Sequence, residues 1–145
     1  MNRYLNIPIA VIVLAVALTA QAQSSSAQKV IATIPFAFNA GDTRLPAGKY
    51  TFTVTNPSSD RKILQIRNAD GRSTAMILTT SVSGNAADSA KLVFHRYGDR
   101  YFFAQAKMAG EPTSLAALKT KTERAEQETI ARTDKKKTVV VITAE

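Results

Sequence analysis

The sequence predicts a mainly β protein, an antiparallel β-sandwich or small barrel of about seven strands with one C-terminal helix before a last strand. Two observations support this prediction. Apolar and polar residues alternate with period two through much of residues 29–105, as in strands that have one buried face. Short segments rich in Gly, Pro, Asn and Asp separate these stretches, and such segments form the tight turns that join antiparallel neighbours.

The N-terminal segment, residues 1–22, is predicted to be a signal peptide. Arg3 precedes a short apolar run, and Ala20-Gln21-Ala22 has the small-x-small pattern of a cleavage site. The run is shorter than the ~20 residues that span a bilayer. We therefore expect cleavage after Ala22, export to the periplasm or the medium, and no transmembrane segment after cleavage. The alternative is a retained anchor.

Charge and cysteine content narrow the class of partner. The chain has 19 basic and 11 acidic side chains, and loss of Arg3 would leave 18 basic against 11. Most basic residues are scattered over turns and outward strand positions, which favours a solvated basic surface. An exported protein rarely meets nucleic acid, so we expect an envelope protein or a polyanion as partner, and no nucleic acid. The absence of cysteine excludes disulfides, Cys-ligated metals and Cys nucleophiles.

After a flexible leader at 23–28, residues 29–110 are predicted to form the antiparallel β domain. Residues 29–38 alternate in part and predict one strand, which Pro35 confines to an edge or a bulge. Residues 50–55 alternate strictly and place Tyr50, Phe52 and Val54 on a buried face.

The first predicted hairpin has its turn at Asp70-Gly71. This dipeptide fits a two-residue type I′ turn, which requires positive φ at both central positions. The turn sets Ile66 opposite Ala75 and places the apolar residues of both strands on one face.

The second predicted hairpin has its turn at Gly98-Asp99, with Gly98 supplying positive φ. The resulting register sets His95 opposite Phe102. Both faces of this hairpin are largely apolar. We expect it to be covered on both sides, either in the centre of a sandwich or under the C-terminal helix.

Residues 111–137 are predicted to be a charged helix or tail, with the helix over 113–132 and its start at Pro112. Lys119–Glu123 and Arg124–Glu128 are spaced as i,i+4 ion pairs. Residues 138–145 are predicted to be the closing strand of the same domain. Their β-branched run is typical of a buried strand, for which the first strand is a candidate neighbour.

The stretch FHRYGDRYFF, residues 94–103, contains the candidate ligand or interaction residues. His95 is the only histidine, so no His-His metal pair exists, and we predict no metal site, no cofactor and no catalytic residue. A Ser-His-Asp triad could use only His95, and the GxSxG signature is absent. Alternating aromatics are typical of a core, but interleaved arginines leave a binding role open. The candidates are His95, Arg96, Tyr97, Arg100 and Tyr101.

Four motifs resemble a family of short, uncharacterised exported proteins that are abundant in acidobacterial genomes. They are a Pro-Phe-x-Phe strand, a Leu-Pro-Ala-Gly-x-Tyr turn, a Leu-x-Ile-Arg hairpin and a Phe-His-x-Tyr-Gly-Asp-x-Tyr-Phe hairpin, followed by a charged helical tail. The likeness covers roughly residues 30–130, although Leu118-Lys119 stands where the family usually has Leu-Pro. The resemblance implies export and β architecture, and it implies no catalytic residue. The motifs lie at 35–38, 45–50, 64–67 and 94–103.

Three functions follow as hypotheses. The first is an exported, non-catalytic binding or interaction domain of the cell envelope, with the helix and the basic turns as contact surfaces. The second is a small β-barrel that carries an apolar ligand, suggested by the two apolar faces of residues 91–105. The third is a hydrolase that uses His95 with an aspartate.

Overall fold

The computed structural model describes residues 28–72 and 74–145, which form ten strands and one helix. The predicted signal peptide (1–22) and the leader up to residue 27 lie outside the described residues. In chain order the elements are β1 (Lys29–Ile34), β2 (Phe38–Ala40), β3 (Thr43–Leu45), β4 (Gly48–Val54), β5 (Arg61–Asn68), β6 (Thr74–Ser83), β7 (Lys91–Tyr97), β8 (Arg100–Lys107), β9 (Thr113–Ala117), α1 (Lys121–Arg132) and β10 (Thr138–Thr143).

All ten strands belong to one hydrogen-bonded sheet. Its antiparallel path runs β1-β4-β5-β6-β9-β8-β7-β10, and the hairpin β2–β3 joins β8 through a parallel bridge between Asn39 and Phe102. The strands β1 and β10 stand at the two ends, linked by one backbone bond from Glu145 N to Ile31 O (3.0 Å). The mainly β fold with one helix before a last strand is confirmed, and the sheet is not closed into a barrel.

The sheet curls so that its inner face encloses the core. Phe52 on β4 and Phe103 on β8 have ring centroids 5.5 Å apart, although β5, β6 and β9 lie between these strands in the path. Phe38 on β2 packs edge-on against Tyr50 and Phe94, at 5.3 and 5.2 Å. Each such side chain stabilises the fold by about 1.5–3 kcal/mol when fully buried. The inner face is therefore filled by side chains.

Both predicted hairpin registers are confirmed. In the first hairpin Ile66 lies opposite Ala75, and in the second His95 lies opposite Phe102. The predicted type I′ turn is wrong. Gly71 has φ 69° and its N–H donates to Asn68 O (2.9 Å), whereas Asp70 keeps a negative φ. The turn therefore spans residues 68–71, and the strand pattern preserves the register.

The strand predicted over 29–38 is interrupted. β1 ends at Ile34 and β2 begins at Phe38, with Pro35 exposed between them. Proline has no N–H to donate to a ladder. The chain leaves the sheet at Pro35 and re-enters it as β2, which pairs with β3 and β8.

The helix predicted over 113–132 is wrong in its first part. Thr113–Ala117 is the strand β9, which pairs with β6 on one side and β8 on the other. The helix begins at Lys121, after the N-cap Thr120. Ala and Leu favour helices, but two strand edges with unpaired backbone groups outweigh that preference. The predicted Lys119–Glu123 pair is replaced as well, because the Lys119 ammonium donates to Gln127 (2.9 Å).

The last strand is present but it is not buried. β10 pairs with β7 rather than with β1, and Val139 and Val141 are 56% and 52% exposed. A β-branched run suits strand geometry wherever the strand lies. The apolar run therefore predicted a strand correctly, but it did not show whether another element would pack on that strand.

Candidate functional site

The five candidate residues of the β7–β8 hairpin do not form one surface. Successive strand residues point to opposite faces, so His95 and Tyr97 lie under α1, while Arg96 and Tyr101, which are paired across the strands, lie on the other face. Arg100 reaches the helix and forms an ion pair with Glu126. The structure thus brings three of the five together at the helix and separates the other two.

Glu123 is the centre of the group under the helix. Its residue is only 4% exposed. The carboxylate oxygen Oε1 accepts a hydrogen bond from the Tyr97 hydroxyl at 3.1 Å and lies 2.9 Å from His95 Nδ1. Because an ionised carboxylate only accepts, His95 Nδ1 is the donor in this contact. Two strand side chains therefore hold one helix carboxylate.

Burial is the main cause of the pKa shifts of two groups near Glu123. Burial raises the pKa of Tyr97, and the charge of Glu123 and its hydrogen bond with the phenol raise that pKa further. Tyr97 is therefore a neutral donor. Burial also lowers the pKa of Lys137, the Lys119 ammonium lowers it further, and the charge of Glu123 opposes both effects.

Packing and capping complete the attachment of α1. Ile130 forms a small buried cluster with Tyr97 and Phe102. At the N-terminus of the helix, the Thr120 hydroxyl accepts from the backbone N–H of Glu123 at 3.2 Å. The helix is otherwise polar and exposed, so its position depends on this cluster, the Glu123 contacts and the Arg100 ion pair.

The other two candidates belong to a stack on the opposite face. The Tyr101 ring stacks on Phe36, with centroids 3.8 Å apart, and the Arg96 guanidinium lies 5.4 Å from the Tyr101 ring centroid. Arg96 Nε also donates to Gly98 O at 2.7 Å. Arg96 is therefore held within the hairpin, as in a packed cation–π pair, and Tyr101 is held against Phe36 of the segment between β1 and β2.

Two cavities open on the described surface. A cleft of about 170 Å³ lies beside His95 and Glu123 and is also bounded by Gln105 and Lys119. A larger cavity of about 520 Å³ lies where the ends of β1 and β10 meet, between Val30, Met108 and Ala144. The larger one is at the rim of the sheet, outside the filled core.

The pair His95–Glu123 has the form of a histidine oriented by a carboxylate, as in hydrolytic triads. Among the described residues, His95 Nδ1 is bonded to Glu123, and the Ser114 hydroxyl donates to Val82 O at 3.3 Å. The contact with Glu123 orients the His95 ring and leaves its Nε2 atom outside this hydrogen bond.

Sequence reasoning missed this role of Glu123, which it placed in an ion pair with Lys119 on the predicted helix. A signal was available. Thr120-Lys121-Thr122-Glu123 fits the S/T-x-x-E pattern of a helix N-terminus, which marks Thr120 as the cap and puts Glu123 on the first turn. That the Glu123 side chain turns inward to the sheet depends on tertiary contacts alone.

A second surface lies on the outer face of the sheet, over β5 and β6. Met76, Leu118, Val82 and Leu78 are 63%, 54%, 43% and 39% exposed. Ile63 is paired with Leu78, and Leu118 follows directly after Ala117, which is paired with Thr79 of β6. We call this surface the open face; its residues are Arg61, Ile63, Arg67, Met76, Leu78, Val82 and Leu118.

Within residues 28–72 and 74–145, no three His, Asp or Glu side chains are grouped as metal ligands. No helix in this part of the chain is long and apolar enough to cross a membrane. Comparison of the chain with protein-family models, with curated proteins and with solved structures finds no match. The resemblance inferred from the four motifs therefore stays a prediction.

Proposed function

We propose that the protein is an exported, non-catalytic binding domain of the cell envelope, and that it holds its partner on the open face. The observation that carries the proposal is the run of exposed apolar side chains from Met76 to Leu118. Contiguous exposed apolar surface is uncommon on free monomers and marks interaction sites. The sequence predicted the helix as a contact surface. In the structure, however, the apolar residue Ile130 of the helix is buried against Tyr97 and Phe102, so the exposed side of the helix is polar.

The polar cluster under α1 supports a non-catalytic role. Glu123 bonds His95 and Tyr97, and Arg100 pairs with Glu126. A buried polar group that is satisfied by its neighbours stabilises one arrangement of the chain. This is the behaviour of a group that positions a helix.

Retention in the cell envelope tests the proposal. The chain is exported from a bacterial host with its own N-terminus, and the amount in the envelope fraction is compared with the amount released on osmotic shock. We expect the double variant Met76→Ser with Leu78→Ser to lose retention by on the order of tenfold, since each removed apolar contact is worth about 1 kcal/mol or less.

The matched control is Val139→Ser with Val141→Ser, because these side chains are similarly exposed but lie on β10. Equal retention of the parent, the open-face variant and the control would contradict the proposal. The intact mass of the recovered chain measures cleavage after Ala22 in the same preparation.

The rim cavity supports a second candidate, the carriage of a small apolar ligand. Its volume of about 520 Å³ falls within the range of small-molecule sites, and Val30, Met108 and Ala144 contribute apolar wall. A native mass spectrum of the exported chain tests it. Excess mass on the monomer that disappears in Met108→Lys would favour the carrier, and a bare monomer would favour the binding domain.

The hydrolase hypothesis now has one supporting observation, the orientation of His95 by Glu123 (2.9 Å). It predicts that His95→Ala abolishes ester or amide turnover while the free energy of unfolding is nearly unchanged. The binding-domain proposal predicts the reverse, a loss of stability of about 1 kcal/mol with no turnover in either protein.

A further inference from the structure

The half of the sheet that carries the open face has charges of one sign on its strands. None of the ten described strands contains Asp or Glu, so the strands of this half carry only basic charges. Arg61, Arg67 and Lys29 lie exposed on their outer face, and none of the ion pairs among the described residues involves these three. The acidic residues nearest in sequence, Asp60 and Asp70, lie in the turns at either end of β5. The surface therefore presents uncompensated positive charge.

The apolar part of the open face is a strip beside these charges. From Met76 to Val82 it runs about 20 Å along β6, by the usual rise of a strand, with the exposed Thr80 between Leu78 and Val82. Leu118 widens it on the β9 side, and Ile63 widens it on the β5 side. Arg61 and Arg67 lie on β5 to either side of Ile63. The strip thus has cations along one border, with side chains long enough to reach beyond it.

A second copy of this chain does not suit the surface. A symmetric face-to-face contact would bring the same patch against itself. Arg61 and Arg67 would then be buried against a surface whose strands are also basic, and those strands offer no carboxylate to neutralise them. Like charges brought together in an interface disfavour association.

The composition of the strip also bears on the kind of partner. The hot spots of protein interfaces are enriched in tryptophan and tyrosine, with arginine. The strip has aliphatic and thioether side chains and no aromatic ring. A fluid apolar phase accepts such side chains without a matching shape, and its phosphate headgroups pair with arginine.

We propose that the open face docks on an anionic lipid surface, with Met76, Leu78 and Leu118 entering the acyl boundary and with Arg61 and Arg67 at the phosphate headgroups. This inference rests on the proposed function and names the partner of that same surface. The helix α1 packs on β7, and its N-cap Thr120 follows two residues after Leu118, so the N-terminal end of the helix borders the open face. The chain is then a peripheral protein held by apolar contact and charge together.

Co-sedimentation with vesicles tests the inference on the exported chain. Vesicles of phosphatidylethanolamine with phosphatidylglycerol are compared with vesicles of phosphatidylcholine alone. We expect binding to the anionic vesicles that weakens as salt is raised, because exposed charges are screened. Each of Arg61→Gln and Arg67→Gln should weaken it about fivefold, as for one basic residue near an anionic surface.

The apolar half of the contact has its own variants. Met76→Ser with Leu78→Ser should weaken binding to the anionic vesicles at least as much as one arginine change. The controls are Val139→Ser with Val141→Ser, and Lys135→Gln with Lys136→Gln, which alter exposed apolar and basic residues outside the open face. Both controls should bind as the parent does. Equal losses in the controls would overturn the assignment of the surface.

Two results separate this inference from the proposed function. If the parent chain binds neither vesicle, but is retained by the envelope until the envelope is treated with protease, the lipid inference is wrong and the partner is a protein. If the chain is neither retained by the envelope nor bound by vesicles, the proposed function itself is wrong. Binding that survives protease treatment of the envelope supports the lipid surface.

Discussion

The hairpins β5–β6 and β7–β8 obey the same local rules and have different surroundings. Each bends at a glycine with positive φ, 69° at Gly71 and 64° at Gly98. Each buries one face in the common core. On the outer face they diverge. Tyr97 and Phe102 lie under Ile130 of α1, whereas Met76 and Leu78 remain exposed.

The difference shows that an apolar residue on the outer face of a sheet can be either buried under another element or exposed to solvent. Alternation says which side chains point away from the core, but it does not say whether another element covers them. Around β7–β8, a helix of twelve residues supplies the cover, with buried polar contacts as well as apolar ones. Around β5–β6, no described element does so, and the uncovered surface becomes the candidate for binding.

The two hairpins should differ most in the free energy of unfolding that is lost when one outer-face side chain of each is truncated to alanine. Phe102→Ala removes a ring that is 2% exposed and should lower the free energy of unfolding by about 3–5 kcal/mol. Met76→Ala should change it by about 0.5 kcal/mol or less, since the side chain is mostly in solvent. Urea unfolding followed by circular dichroism measures both. Equal losses would mean that the two outer faces are packed alike.

The next effect concerns the carboxylate that holds the helix to β7. Glu123→Gln keeps the shape of the side chain and an oxygen that can accept from His95 and Tyr97, but it removes the charge that strengthens both hydrogen bonds. We expect a loss of about 2 kcal/mol in the free energy of unfolding, with faster amide hydrogen exchange in α1. The control is Glu128→Gln on the exposed side of the helix, expected to cost less than about 0.5 kcal/mol. A similar loss in both variants would contradict the buried contact.

Substitution of the turn glycine should destabilise both hairpins by similar amounts, because each turn requires only a positive φ at that residue. Gly71→Ala and Gly98→Ala each place a Cβ on a left-handed residue, in positions where no other atom lies within 4 Å of that Cβ. Each should cost about 1–2 kcal/mol from backbone strain alone. Thermal unfolding of both variants measures this. A much larger cost at Gly98 would show that the helix side of the molecule also constrains its turn.

The smallest effect is confined to alkaline solution. Burial and Glu123 raise the pKa of Tyr97 above its ordinary value of 10.0, so the folded chain holds this proton more tightly than the unfolded chain. The stability that Tyr97 contributes is therefore fully present below pH 10 and falls as the pH rises above that value.

The measurement is the difference in free energy of unfolding between the parent and Tyr97→Phe, at about pH 8 and about pH 11, below and above the ordinary tyrosine range. The difference should shrink at the higher pH. Because both proteins share every other titrating group, a constant difference would show that Tyr97 and Glu123 are not in contact.

Much of the fold was predictable because it follows from local chemistry. Strict alternation in residues 50–55 identified β4 and its buried face, and the apolar patterns of the paired strands agree with the registers of the two hairpins. The candidate site was only partly predictable. His95 and Tyr97 share a face because they are two residues apart on a strand, but their common partner Glu123 is 26 and 28 residues away in the chain.

By itself, the sequence determined the strands, their inner and outer faces, and the positions of the turns, since these depend on neighbours along the chain. Tertiary structure decided the rest. It made β9 a strand because β6 and β8 offered two unpaired edges, and it left β10 exposed because nothing covers that edge. It turned Glu123 inward and left the open face uncovered, because one helix covers only one half of the sheet.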